Sequence, residues 1–170
     1  MREKLASALN SKNLTSKFNE CSLDKIHALG IVAQKNAIGV DAIRFIDALQ
    51  EKSYKPLIYG LAKVCKSHFK CEQSMMIKLC KQVVHESAFS FCISCNGRKE
   101  IKIDEKVLQC QTCQGSGFNR HTDQQRALSL GVSVEAYAKG WSKKFQVVQS
   151  VFSDNYKSAI KTTQKLIKFD

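Results

Sequence analysis

The chain has 170 residues, of which 44% are apolar and 25% charged, with a single proline; this composition excludes a disordered tail or flexible linker and describes an ordered, helix-rich protein. Its length suits one compact unit or one domain with a protruding module. The net charge of +12 is divided as 14 basic against 7 acidic side chains in residues 1–85 and 13 against 8 in residues 86–170, so no single tail holds the excess and a polyanionic partner, nucleic acid above all, is favoured.

No apolar run approaches the roughly twenty residues a membrane helix needs, and the opening MREKLASALNSKN lacks the apolar core of a secretory signal. The expectation is a protein held in a reducing cytoplasm with no membrane partner. There thiols stay available as ligands, and a disulfide framework for the eight cysteines loses its weight.

Residues 1–21 form an N-terminal segment with no assigned element. Residues 22–91 are expected to be helical. Ser22 is placed as an N-cap, with Ile26, Leu29, Ile31 and Val32 on one face. Gly39 is expected to interrupt the pattern before Val40, Ile43, Phe45, Ile46 and Leu49. Pro56 suits the first turn of the next helix, whose stripe is Leu57, Leu61, Val64, Cys65 and Phe69. A fourth helix from about Glu72 carries Met76, Leu79, Cys80 and Val83, with Phe89 to Phe91 facing inward, and runs directly into Cys92.

Residues 92–117 hold the strongest local signal, Cys92-x2-Cys95-x14-Cys110-x2-Cys113. Each Cys-x-x-Cys turn presents two thiolates on one side, and two such turns complete a tetrahedron around Zn²⁺. Four protein ligands leave no open position, so one structural zinc is expected. A redox dithiol pair and buried free thiols are the competing readings. Between the pairs, KEIKIDEKVLQ alternates at Ile101, Ile103 and Val107, as in a two-stranded hairpin too small to hold itself together without a metal. Gly97, Gly115 and Gly117 are suited to the positive-φ turns of such knuckles. Cys21, Cys65, Cys71 and Cys80 have irregular spacing and are expected to pack as small hydrophobes. His27, His68 and His85 have no ligand partner at helical spacing, and His121 is unnecessary once four cysteines are counted.

In residues 118–170, Thr122 or Asp123 can cap a helix through Leu130, Gly131 ends it and Ser133 can cap the next. Ala127-x3-Gly131-Val132-Ser133 has the order of a helix-turn-helix turn, in which a small residue lets two helices cross. Trp141, Phe145, Val148, Val151 and Phe152 form a stripe expected to stop at Ser153-Asp154, with Tyr156, Ile160, Leu166 and Ile167 on a separate last helix. The other face of that helix carries Lys157, Lys161, Lys165 and Lys168, which suit either phosphate contact or simple solvation.

The pattern Cys92-x2-Cys95-x-Gly97, then Cys110-x2-Cys113-x-Gly115-x-Gly117 with an aromatic and Arg120, then a helix near Thr122 and a Trp141-Ser142-basic step before FQVVQSVF, resembles the lambda-type Q antitermination proteins of bacteriophages. The resemblance runs from about Ser22 to Lys168 and is dense from Cys92 to Phe152. This chain departs from the pattern at Lys99, where a second glycine is usual, and its insert between the cysteine pairs is short. The resemblance implies a mainly α fold in which a four-cysteine zinc knuckle is inserted into a helix-turn-helix-like DNA-binding unit. It also implies a non-enzymatic late-gene factor in the bacterial host cytoplasm. Such a factor binds promoter-overlapping double-stranded DNA and engages paused RNA polymerase at the flap and RNA-exit region, with influence on the sigma factor. It then suppresses pausing and termination.

Two arrangements of the DNA-binding unit compete. In the preferred one, the helix ending near Phe91 and the helix starting near Thr122 are its two arms, and the knuckle fixes their angle. Thr122, Gln124, Gln125 and Arg126 then face the groove, with Arg98, Lys99 and Arg120 on nearby phosphates; Arg and Gln suit bidentate contacts with guanine and adenine. In the other, Gly131 is the turn and Glu135, Lys139, Lys143 and Lys144 make contact. Three alternatives remain, two of them from other classes. One is a zinc-containing repressor or activator that never joins polymerase. The second is a zinc peptide-binding module like those of the heat-shock co-chaperones, whose further repeats and His-Pro-Asp loop are missing here. A zinc enzyme is the third, and it lacks an open ligand position and a His-Glu-x-x-His motif.

Overall fold

The computed structural model describes residues 20–167 apart from Ile93, Asp104, Glu105 and Arg120. It is mainly helical, with one small antiparallel sheet and a buried four-cysteine cluster. Helix α1 spans Glu20–Lys35, α2 Ala37–Ile46, α3 Tyr54–Cys65 and α4 Gln73–Ala88. Strands β1 (Glu100–Ile103) and β2 (Lys106–Gln109) follow, then α5 (Asp123–Leu130). After a turn at Gly131, one helical turn at Val134–Ala136 leads through a π-helical stretch, Tyr137–Trp141, into α6 (Ser142–Ile167).

Helix α6 organises the bundle because its 26 residues reach about 39 Å at 1.5 Å per residue. Its first half buries Phe145, Val148 and Phe152 in a core shared with Leu57, Leu61, Leu79 and Val83 of α3 and α4. Its second half buries Ala159 against Leu29, Val32, Val40 and Ile43 of α1 and α2. The sulfur cluster forms a third, separate core to which Ile101 is added.

Several expected boundaries move, for identifiable reasons. Ser22 lies inside α1 rather than capping it. The break between the first two helices falls at Asn36, whose side chain accepts the Gly39 amide at 2.8 Å and donates to the Asn155 carbonyl at 2.8 Å. Gly39 is a buried helical residue, not an interruption: a Cβ there would lie 2.6 Å from the Ala159 Cβ. Its absence is what lets α2 cross α6 so closely. Ser153 and Asp154 sit within α6, which continues without a break to Ile167. Both lie in a run with no glycine or proline, and the apolar spacing carries on through Ala159, so the helix has no reason to end. Phe89 and Phe91, expected inside, are 53% and 60% exposed. Helix α4 ends at Ala88, and the chain has left the helical face before these rings appear. The expected roles of residues 1–19 and of Lys168 fall outside the described residues.

Candidate metal centre and helix-turn-helix unit

The knuckle is built as two copies of one local device. In each, a Cys-x-x-Cys turn is followed by two residues of positive φ: Asn96 (47°) and Gly97 (78°) in the first, Gln114 (51°) and Gly115 (73°) in the second. Two positions later, Lys99 (70°) and Gly117 (78°) repeat the left-handed conformation. The copies grip each other reciprocally, because Cys92 N donates to Gly117 O and Cys110 N to Lys99 O, both at 2.9 Å. Lys99 therefore occupies the place of the missing glycine and accepts the strain of a non-glycine residue in that region. At Gly117 a side chain is excluded outright, since a Cβ would lie 2.8 Å from the Gly97 carbonyl oxygen.

The expected hairpin forms, with Ile101 opposite Leu108 and Lys102 opposite Val107. Ile101 packs on the cysteines, whereas Val107 and Leu108 stay exposed. At the base of the knuckle, Phe91 and Phe118 pair as an isolated antiparallel bridge with stacked rings 6.0 Å apart, and Asn119 N donates to Ser90 O at 2.7 Å. The knuckle thus leaves and rejoins the helical body at one point between α4 and α5.

Cys92, Cys95, Cys110 and Cys113 are all buried, and their sulfurs lie within 4.8 Å of one another. The separations Cys92–Cys110 and Cys95–Cys113 are 3.9 and 3.7 Å. A tetrahedron with metal–sulfur bonds of about 2.3 Å has edges of about 3.8 Å, so the four cysteines could hold one metal ion. Their proton chemistry points the same way. Burial, with the neighbouring thiols, lifts Cys95 to about 11. Against that burial, the Gly117 amide, which donates to Cys113 Sγ at 3.3 Å, and the adjacent thiols bring Cys113 down to about 6. A cation placed among thiols favours their thiolate forms. The core cysteines behave differently: burial pushes Cys65 up to about 11 and Cys80 to about 12, as expected of inert packing groups. His27, His68 and His85 are exposed on the helical body, and among the described residues none joins the sulfur cluster.

Downstream, Thr122 caps α5 in a reciprocal capping box: its Oγ1 accepts the Gln125 amide at 3.2 Å, and Gln125 Oε1 accepts the Thr122 amide at 2.9 Å. Gly131 then reverses the chain at φ 74°, with Val132 N donating to Ala127 O at 3.0 Å. Ser133 caps the next helix through its Oγ, which accepts the Ala136 amide at 3.1 Å. Ala127 is buried beside Leu130 and Tyr137 in the main core, which fits the role of the small residue at a helix crossing.

The residues expected to contact DNA differ in how far the fold already engages their side chains. Arg126 makes its contacts within the protein. Its Nε donates to Glu86 Oε1 at 2.9 Å and its Nη2 to Glu86 Oε2 at 2.8 Å, with Nη1 on Asp123 at 3.3 Å and the guanidinium 4.4 Å above the Phe145 ring. Its fork is spent on tying α5 to α4 and α6. Thr122 and Gln125, though exposed, are likewise engaged in the cap, whereas Gln124 is exposed and outside it. Arg98 and Lys99 are exposed on the knuckle, and Arg120 lies outside the described residues. In the second arrangement, Glu135, Lys139 and Lys143 are exposed along the helix after the Gly131 turn, while Lys144 is half-buried with its ammonium 4.3 Å from the Trp141 ring.

Glu86 was missing from the sequence reading. It is 8% exposed. Burial works to raise its pKa, and hydrogen bonds from Arg126 and Gln82 more than offset this, holding it below the usual carboxylate value. The signal was present: Leu79, Val83 and Glu86 share one helical face by their spacing, and an acid on a core stripe requires a buried donor.

No protein-family model matches this chain, and no curated protein matches it either. Among the described residues, no helix is long and apolar enough to cross a membrane.

Proposed function

We propose that this chain is a DNA-binding transcription factor of the lambda-type Q antitermination class, with zinc as the ion of its four-sulfur site. The observation that carries this reading is an ordered series: a knuckle pinned between α4 and α5, the left-handed turn at Gly131, and a Ser133-capped helix with exposed Lys139 and Lys143. Four-sulfur sites with edges near 3.8 Å suit Zn²⁺, which tolerates the tetrahedron without redox change. With every coordination position filled by protein, the zinc is structural and the protein makes or breaks no bond.

In this reading the helix beginning at Val134 enters the major groove of double-stranded DNA, and Gln124, Arg98 and Lys99 reach phosphates on its flank. Arg126, Thr122 and Gln125 hold the geometry. Engagement of bacterial RNA polymerase and suppression of termination, in the cytoplasm of a bacterial host, rest on the resemblance of the knuckle and the segments after it.

The test is affinity capture with tagged protein from nuclease-treated bacterial lysate, washed at about 0.3 M salt to strip phosphate-only binding. Recovery of the polymerase core subunits in near-stoichiometric amount is the expected result. Their absence, with sequence-specific DNA binding intact, leaves a promoter-binding zinc protein that acts as a repressor or activator and refutes the antitermination assignment.

A further inference from the structure

α3 and the residues flanking it carry an uncompensated charge that the proposed helix-turn-helix does not use. Lys52, Lys55, Lys63, Lys66 and Lys70 are all exposed, and residues 52–71 contain no aspartate or glutamate. No carboxylate among the described residues pairs with any of these lysines. At about 100° per residue, Lys55, Tyr59, Lys63 and Lys66 fall within an arc of about 80° on α3. Tyr59, between them, is 57% exposed and offers a hydroxyl donor.

The stripe is continuous with the DNA-binding unit. Phe69 follows the end of α3 and packs on the main core, and its ring lies 5.9 Å from the Lys144 ammonium, which also sits over Trp141. Lys66 and Lys70 flank Phe69 in sequence, so they border the same corner as the start of α6.

From this juxtaposition we infer that the α3 lysine stripe is a phosphate-binding track that extends the helix-turn-helix footprint along the backbone of duplex DNA. The inference rests on the DNA-binding reading above. From Lys55 to Lys66 the track runs about 17 Å along the helix axis, and duplex DNA presents one charge per about 1.7 Å. Three lysines can therefore each meet a phosphate. Such contacts carry no sequence information; they supply affinity and fix the direction in which the duplex leaves the recognition helix.

The experiment uses the full chain in its metal-loaded form and a mixed-sequence duplex of about 30 base pairs, with affinity followed by fluorescence anisotropy between about 50 and 200 mM salt. The triple variant K55Q/K63Q/K66Q is compared with K157Q/K161Q/K165Q, which removes the same charge from the end of α6, about 20 Å or more beyond Lys144. Loss of three phosphate contacts should make the log–log salt slope less negative by about 2.7, so that the wild type loses about 40-fold more affinity across the range than the α3 variant. The α6-end variant should keep the wild-type slope. Equal slopes for the two variants, or no change in the α3 variant, overturn the track while leaving the DNA-binding reading in place. A slope change seen only with single-stranded RNA of the same length overturns the duplex assignment. A folded wild type that binds no duplex at all overturns both readings.

Discussion

Arg126→Met is the substitution that separates the two accounts of the proposed DNA-binding unit most sharply. It removes a fork that satisfies both oxygens of Glu86 at 2.9 and 2.8 Å, leaving a carboxylate that is 8% exposed with Gln82 as its remaining donor at 3.0 Å. Breaking one side of a buried pair costs about 3–5 kcal/mol. The 23% exposure of the Arg126 side chain and the surviving Gln82 bond put this site toward the low end of that range. Lost cation–π contact with Phe145 adds about 0.5–1 kcal/mol. The expected total is about 3.5–4 kcal/mol, or a fall in Tm of about 7–16 °C for a chain of this size. Thermal unfolding followed by far-ultraviolet circular dichroism measures it. The double variant Glu86→Leu with Arg126→Met should recover much of the loss, because the stranded charge is gone. The pH dependence follows from the direction of the Glu86 shift. A carboxylate held below its ordinary value of 4.5 stabilises the fold above that pH, and the contribution is lost as pH falls through the lowered folded value. The wild-type advantage over Glu86→Gln should therefore shrink in acid. An unchanged Tm for Arg126→Met together with weakened DNA binding would refute the reasoning and return Arg126 to the groove.

Loss of an ion held by the four cysteines should act locally. The sulfur cluster is a core separate from the one that joins α3, α4, α5 and α6, so Cys113→Ala should release the ion and deprotect backbone amides of residues 92–117 in hydrogen exchange, while most helical signal remains. Global unfolding of that variant would count against the partition. Gly39→Ala places a Cβ 2.6 Å from the Ala159 Cβ. Overpacking at that crossing should cost about 2 kcal/mol net of the gain in helix propensity, seen as a Tm lower by about 4–8 °C; a neutral result would show that α2 can move off α6. Lys139→Ala on the exposed helix should leave Tm within about 1 °C and weaken binding to every duplex equally if it meets a phosphate. A loss of about 1–3 kcal/mol confined to one site would make it a base contact.

The four-cysteine knuckle was legible because its ligands are set by local spacing: Cys-x-x-Cys and the following glycines dictate the turn wherever the segment sits. Thr122, Gly131 and Ser133 were legible for the same reason, since a cap and a left-handed turn are satisfied by neighbours within three or four residues. What the chain order could not reveal were pairings across long separations. Gly39 resembles a helix breaker until Ala159 is known to lie against it, 120 residues later. Ser153-Asp154 looks like a cap, yet tertiary packing on both sides keeps α6 intact through it. Arg126 has the chemistry of a base reader, and its meeting with Glu86 across the α4–α5 contact, 40 residues away in the chain, is visible only in the fold. Function was least legible where one residue type serves two purposes, as arginine does here.

The most direct test of the central claim is selection of bound duplexes from a randomised pool by the purified, metal-loaded protein, repeated with Cys113→Ala. The account predicts enrichment of a single motif by the wild type, weakened when Lys139 and Lys143 are neutralised and lost without the metal-held knuckle. A pool that stays random after repeated rounds, from protein shown to be folded and metal-loaded, would contradict it.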